Sequence, residues 1–131
     1  MSYLLDTNIC IALLKKQDKE LVKKLKFFSP GQFFLCSIVK AELLYGARNS
    51  LYVNDNLGLL EEFFKQFASL SFDDDCGSHY GVLRTILARA GTPIGANDLL
   101  IASIALQHRL VIVTRNRREF LRVPGLSVET W

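Results

Sequence analysis

The chain has few of the residues that cross-link proteins, bind soft metals or act as nucleophiles. Among 131 residues there are three cysteines, two histidines, three prolines and one methionine. Cys10, Cys36 and Cys76 are far apart and set among apolar residues, and no C-x-x-C pair occurs, so neither a zinc finger nor a dithiol redox site is indicated. We expect three buried free thiols. His79 and His108 are too isolated in the sequence to suggest a catalytic pair.

Long apolar runs and several familiar motifs are also missing. The longest apolar stretches are far shorter than a membrane span. Near the amino terminus no basic region precedes an apolar run, and Asp6 interrupts the run that is there. We therefore expect no signal peptide, no membrane segment and a cytoplasmic location. Neither a glycine-rich phosphate loop nor a G-x-S-x-G elbow occurs, so nucleotide-binding and serine-hydrolase folds are not indicated.

The composition is that of a globular α/β chain. Half of the residues are hydrophobic and 22% are charged, which is enough apolar side chain for a core. The length predicts a single domain over residues 1–131. Between amphipathic helical segments lie five predicted strands: Tyr3–Leu5, Phe33–Val39, Leu70–Phe72, Leu110–Thr114 and Leu126–Val128. This alternation predicts a central, mostly parallel five-stranded sheet flanked by helices on both faces.

Acidic and amide side chains follow three of these strands. Asp6 ends the first strand in the motif LLDTN, and Glu42 lies in the first turns of the helix after the second strand. Asn116 and Glu119 follow the fourth strand. Ligands of parallel sheets bind outside the carboxyl ends of the strands, so we expect these side chains to share one edge. Asp98 opens the helix before the fourth strand, and this argument places it less securely.

Each acid also has a simpler explanation. Asp6 could cap a helix, and Glu42 and Asp98 could favour the positive end of a helix dipole. However, Glu42 and Asp98 interrupt otherwise apolar helices, and carboxylates that are buried close together repel one another. A bound divalent cation would remove that repulsion. Carboxylates and an amide, without histidine or cysteine, favour Mg²⁺ or Mn²⁺ over zinc, and such a cluster is suited to phosphodiester hydrolysis.

Basic residues are concentrated in two segments of a chain whose formal net charge is +3. Either segment could face a phosphate-rich partner, or it could be a solvated surface. The first segment contains Lys15, Lys16, Lys19, Lys23, Lys24 and Lys26, and the second contains Arg115, Arg117, Arg118 and Arg122.

Four motifs occur in the order found in PIN-domain ribonucleases. They are LLDTN, SIVKAELLYGA, GTPIGANDLLIASIA and LVIVTRNRREFLRVPGL. Over nearly its whole length the chain resembles the VapC-type toxins of bacterial toxin–antitoxin pairs. The resemblance implies a PIN-like fold and a Mg²⁺- or Mn²⁺-dependent endoribonuclease that cuts structured RNA, such as tRNA, and so inhibits translation. It also implies a homodimer and a cognate VapB-type antitoxin that blocks the acidic pocket.

The resemblance also suggests roles for individual residues. Asp6 and Asp98 match the principal metal-binding acids of the family, and Glu42 matches the third catalytic acid. Family members commonly carry a fourth acid after the LVIVT-like strand, and here either Asn116 or Glu119 could take that position. The choice between one metal and two is open as well. The flanking phosphates would be held by Arg115, Arg117 and Arg118.

Two other classes of function use the same residues. The acids could serve a metal-dependent DNA nuclease or phosphatase, or they could be helix caps in a binding domain without catalysis. The sequence does not name the RNA target, the cut site or the antitoxin class.

Overall fold

The computed structural model describes residues 1–131 and contains five strands and seven α-helices. The strands are β1 (Tyr3–Leu5), β2 (Phe33–Cys36), β3 (Ala68–Leu70), β4 (Val111–Val113) and β5 (Val128–Glu129). The helices are α1 (Thr7–Lys15), α2 (Lys19–Phe27), α3 (Ser37–Arg48), α4 (Val53–Phe64), α5 (Asp74–Arg89), α6 (Ala96–Gln107) and α7 (Arg117–Phe120). None of the helices is both long enough and apolar enough to cross a membrane.

The five strands form one sheet in the order β3-β2-β1-β4-β5, and every neighbouring pair is parallel. The predicted sheet is therefore confirmed, and it is wholly rather than mostly parallel. From β1 the chain moves to β2 and β3 on one side, and later to β4 and β5 on the other. The strand order thus reverses beside β1, and ligands of parallel sheets bind at such a point, outside the carboxyl ends of the strands.

The core lies on the central strands and the helices that cover them. All residues of β1 and β4 are buried, which explains why both strands are continuous apolar runs. Helix α6 is buried around most of its circumference, from Ile101 to Ala105. The three cysteines are buried free thiols, as predicted, and burial raises the pKa of Cys36 to about 11.

Several predicted boundaries are wrong by a few residues, most clearly at β2. The run Phe33–Val39 is a strand only as far as Cys36, because α3 begins at Ser37. Local preference for a strand at Ile38 and Val39 is overridden because Val39, Leu43 and Ala47 form the buried stripe of α3. Strand β3 lies two residues earlier than predicted, and β5 covers Val128–Glu129 instead of Leu126–Val128.

Candidate metal-dependent active site

Asp6 lies at the centre of the site, directly after the middle strand β1. It is only 4% exposed and is the one buried carboxylate of the chain. Its Oδ1 accepts a hydrogen bond of 2.8 Å from the main-chain N–H of Thr7, so Asp6 itself caps α1. Its Oδ2 accepts one of 2.7 Å from the hydroxyl of Thr114, a fully buried residue after β4. Both carboxylate oxygens are therefore fixed in direction.

Glu42 reaches the same edge from the second turn of α3. The hydroxyl of Thr7 donates a hydrogen bond of 2.7 Å to its Oε1. Thr7 thus contacts both acids, because its N–H binds Asp6 and its hydroxyl binds Glu42. The LLDTN motif fixes two carboxylates that are far apart in the sequence.

Asp98 lies in the first turn of α6. A helix that precedes a parallel strand begins at the carboxyl edge of the sheet and returns to the amino edge, which explains why Asp98 reaches the site. The side-chain amide of Asn116 donates to Asp98 Oδ2 at 3.2 Å and to Glu119 Oε2 at 3.3 Å. The main-chain N–H of Asn116 donates to the Thr114 hydroxyl at 2.8 Å. A connected series of hydrogen bonds therefore joins all five predicted site residues.

The negative charges of this cluster repel one another. Partial burial, a hydrogen bond shared with Glu119, and the charges of Asp6, Glu119 and Glu42 raise the pKa of Asp98 to about 7. Burial raises the pKa of Asp6, although its hydrogen bonds from Thr114 and Thr7 act in the opposite direction. The hydrogen bond from Asp98 lowers the pKa of Glu119. These opposite shifts in pKa favour a proton on Asp98 beside an ionised Glu119, which reduces the negative charge of the site.

No basic side chain forms an ion pair with these acids, although the charge of Arg122 contributes to lowering the pKa of Glu119. The two ion pairs of the structure are Lys65 with Glu62 and Arg115 with Asp18, and neither involves a carboxylate of the site. The donor set consists of carboxylate, amide and hydroxyl oxygens, which are the ligands of hard divalent cations. A divalent ion held by Asp6 and Asp98 would displace the proton from Asp98 and offset the repulsion. The residues present thus fit a metal site.

A profile of the PIN domain matches residues 3–126. The chain is 37% identical over 131 residues to the tRNA(fMet)-specific endonuclease VapC of Salmonella typhimurium, covering 100% of this chain and 98% of that relative. It is 39% identical to the ribonuclease VapC2 of Rickettsia felis, again covering 100% and 98%.

The chain belongs to the PIN-domain family.

Solved structures agree with this assignment. The VapBC2 complex of Rickettsia felis, bound to a DNA fragment from its promoter, contains a chain that superposes with a TM-score of 0.94 at 38% identity, covering 100% of this chain and 99% of that one. VapBC-1 of nontypeable Haemophilus influenzae superposes with a TM-score of 0.91 at 33% identity, covering 100% and 98%. The predicted PIN-like fold and the resemblance to VapC ribonucleases are confirmed.

The predicted RNA-binding arginines of this PIN domain are in different environments. Arg115 is held by Asp18 and also donates from Nε to the main-chain oxygen of Trp131 at 3.3 Å. Arg117 and Arg118 are exposed in the first turn of α7. Arg122 donates to the main-chain oxygen of Pro93 at 2.8 Å, so it braces the segment before α6.

Sequence reasoning missed how the PIN-domain acids are connected. The hydroxyls of Thr7 and Thr114 each donate to a carboxylate. The partners Asp6 and Thr114 are 108 residues apart, so no local pattern could show their contact. The PIN-domain match, by contrast, was predicted from four sequence motifs that occur in the order found in the family.

His108 is less isolated than the sequence suggested. A ligand atom of His108 lies within 4.8 Å of one from Asp73 and one from Cys76, away from the acidic site. Asp73 caps α5, however, and its Oδ1 accepts a hydrogen bond of 3.0 Å from the main-chain N–H of Cys76. Asp73 therefore has a structural role as the N-cap of α5.

Proposed function

We propose that this chain is the toxin of a toxin–antitoxin pair, an endoribonuclease that hydrolyses RNA phosphodiester bonds with Mg²⁺ or Mn²⁺. One observation carries the proposal. Carboxylates that follow β1 or lie on α3, α6 and α7 converge at one edge of the sheet, and none of them forms an ion pair with a basic side chain. Helix caps would not need to meet in this way, which argues against a binding domain whose acids are only structural.

The roles follow from the geometry. Asp6 and Asp98 are proposed to hold the metal, and Glu42, fixed by Thr7, is proposed to orient the attacking water and accept its proton. When bound, the cation supplies charge stabilisation and makes water acidic enough to attack at neutral pH. Asn116 is proposed to position Asp98 and Glu119, and Glu119 to supply the fourth acid. Since Glu119 carries the charge that Asn116 lacks, it completes the site.

RNA is the proposed substrate, with its phosphates held by Arg115, Arg117 and Arg118. The relative from Salmonella typhimurium is named a tRNA(fMet)-specific endonuclease. We therefore propose a structured RNA, such as tRNA, as the target whose cleavage inhibits translation. We place this activity in the cytoplasm, where such RNA is found.

A VapB-type antitoxin is the proposed protein partner, and a homodimer the proposed assembly. The similar solved structures are of VapBC complexes. An apolar groove of about 310 Å³ adjoins the acidic site through Glu42, and Ile11, Leu43 and Leu59 are among the residues that line it. An antitoxin segment in this groove could reach the carboxylates with a basic side chain. We further propose that residues 1–131 act as a single domain, since one core of 29 buried residues packs against the sheet.

Incubating the purified chain with structured RNA tests this function. We expect cleavage with Mg²⁺ or Mn²⁺, no cleavage in EDTA, and a loss of more than about a hundredfold in rate for Asp98→Asn, because a metal ligand is removed. Asp75→Asn is the matched control, since this exposed acid lies in the first turn of α5, away from the site. Sequencing the new RNA ends would then identify the cut site.

Other outcomes would favour the alternatives. Turnover of small phosphate esters with RNA left intact would indicate a phosphatase. Cleavage of DNA but not RNA would indicate a DNA nuclease. Absence of all three activities, with no stabilisation by Mn²⁺, would favour a binding domain without catalysis.

A further inference from the structure

Phe27 is a large apolar side chain that the fold leaves in solvent. It is the last residue of α2 and is 85% exposed. Its ring meets Phe28 edge to face, with centroids 5.4 Å apart. Phe28 in turn stacks on Trp131, with centroids 5.4 Å apart and ring planes 9° from parallel. Phe27 is therefore an open ring supported by a rigid aromatic cluster, which is the form of a stacking platform.

A groove of about 530 Å³ lies beside this ring and carries mostly positive charge. Its charged lining consists of Lys23, Lys24, Arg115, Asp18 and Glu20. Asp18 is already paired with Arg115, so it does not leave a free negative charge in the groove. The ammonium of Lys24 lies 5.0 Å from the centroid of the Trp131 ring.

A second groove, of about 740 Å³, continues this surface toward residues next to the acidic site in the sequence. It shares Asp18, Glu20 and Arg115 with the first groove and extends to Asn8, two residues after Asp6. Arg115 itself lies between Thr114 and Asn116 in the chain. The two grooves share residues and together form one surface, here termed the basic track, from Asn8 to Phe27. Its five basic residues outnumber its two acids: Lys15, Lys19, Lys23, Lys24 and Arg115 against Asp18 and Glu20.

We propose that an unpaired stretch of the RNA substrate lies along the basic track, with its phosphates beside the lysines and one base stacked on Phe27. The inference rests on the proposed function, because it extends the path of the strand that the site would cut. Aromatic rings next to a basic groove bind single strands of any sequence, since every base has a π-face. RNA is favoured over a protein partner because a phosphate backbone complements the excess of positive charge.

Binding of a labelled, unpaired oligoribonucleotide in EDTA tests the stacking step without cleavage. We expect Phe27→Ala to raise the Kd by about tenfold, because stacking on an aromatic ring contributes strongly for each base. Phe27→Trp should retain the affinity. Tyr52→Ala is the matched control, since Tyr52 is an aromatic residue that is 66% exposed and lines neither groove.

Salt dependence tests the phosphate contacts. The double change Lys23→Gln and Lys24→Gln should reduce the slope of log K against log salt concentration by about 1.4, since each phosphate contact on a single strand contributes about 0.7. The matched pair Lys65→Gln and Arg89→Gln should leave the slope unchanged, because both residues are exposed and lie outside the track.

The two proposals fail in different ways. If Phe27→Ala binds RNA as tightly as the wild type, the inference is overturned. It is overturned equally if the variant keeps its RNA affinity and changes only self-association or the binding of a protein. If binding depends on Phe27 and on the lysines but no RNA is cut with any metal, the basic track stands and the proposed function is wrong.

Discussion

Thr114 shows how one side chain can set the direction of a buried acid. Its buried hydroxyl donates to Asp6 Oδ2 at 2.7 Å and accepts from the N–H of Asn116 at 2.8 Å. One face of the site is thereby tied to the other through a single oxygen. Since a hydroxyl can both donate and accept, neither an apolar nor a purely accepting side chain could replace it.

Thr114→Val, which keeps the shape and removes the hydroxyl, should destabilise the chain by about 1–3 kcal/mol, because it leaves a buried carboxylate oxygen without a donor. The loss should also raise the pKa of Asp6 further and move the rising limb of the pH profile of cleavage to higher pH. Urea unfolding and the pH profile measure the two effects. Thr114→Ser is the control and should behave nearly as the wild type. If Thr114→Val has the same stability and pH profile as Thr114→Ser, the hydroxyl does not fix Asp6.

If Asp98 is a metal ligand as proposed, we expect metal binding to depend on pH near neutrality. Its pKa is raised to about 7, so the carboxyl is largely protonated at pH 6 and largely ionised at pH 8. A cation must displace that proton, and the rise in melting temperature on adding Mn²⁺ should therefore be larger at pH 8 than at pH 6. Differential scanning fluorimetry measures this rise. Equal rises at both pH values would show that Asp98 does not ligate the metal.

In the metal-free chain, the same raised pKa makes the folding stability fall as the pH rises. Because folding raises the pKa of Asp98 above its ordinary value, the folded state holds the proton more tightly than the unfolded state does. The resulting stabilisation is fully present below pH about 4 and is lost as the pH rises through about 7. In EDTA, Asp98→Asn should remove this part of the pH dependence of stability. Urea titrations between pH 5 and pH 8 would measure the loss, because this range includes the raised pKa of about 7.

At the scale of elements, the site depends on where helices begin and end. Helix α5 ends at Arg89, and Gly91 follows in the left-handed region with φ of +70°, where side chains are strained. The N–H of Thr92 then donates to the main-chain oxygen of Leu87 at 2.9 Å, closing the end of the helix. This turn leads the chain toward the first turn of α6 and Asp98.

Two glycine substitutions separate the need for a positive φ at residue 91 from the general effect of glycine on helix stability. Gly91→Ala should destabilise the chain by about 1 kcal/mol, because alanine is strained at positive φ. Gly58→Ala, inside α4 with nothing within 4 Å of the added methyl group, should stabilise it by about 0.5–1 kcal/mol. Urea unfolding measures both. A Gly91 variant as stable as the wild type would contradict the role given to this turn.

The elements that the sequence predicted well are those with strong local patterns. The apolar runs of β1 and β4 could be placed because burial acts over a few residues. Residues 37–39 could not, because a β-branched run fits either a strand or the buried stripe of a helix. Asp98 was placed less securely because its position depends on the direction of α6 relative to β4, which is a property of the whole sheet.

At the scale of the molecule, charge is separated between regions. The formal net charge is +3, yet the carboxyl edge of the central strands carries a group of acids that form no ion pair with a basic side chain. Basic side chains lie along α1 and α2 and around α7 instead. A polyanion would thus be attracted to the surface around the site but repelled by the site itself until a cation is bound.

Mn²⁺ binding, measured by isothermal titration calorimetry at pH 8, is the most direct test that the acidic cluster is a metal site. The wild-type chain should bind Mn²⁺ with saturation, and Asp98→Asn should bind it at least about tenfold more weakly, because it loses a charged ligand. Asp75→Asn should bind as the wild type does. Equal Mn²⁺ affinity in the wild type and Asp98→Asn would contradict the account.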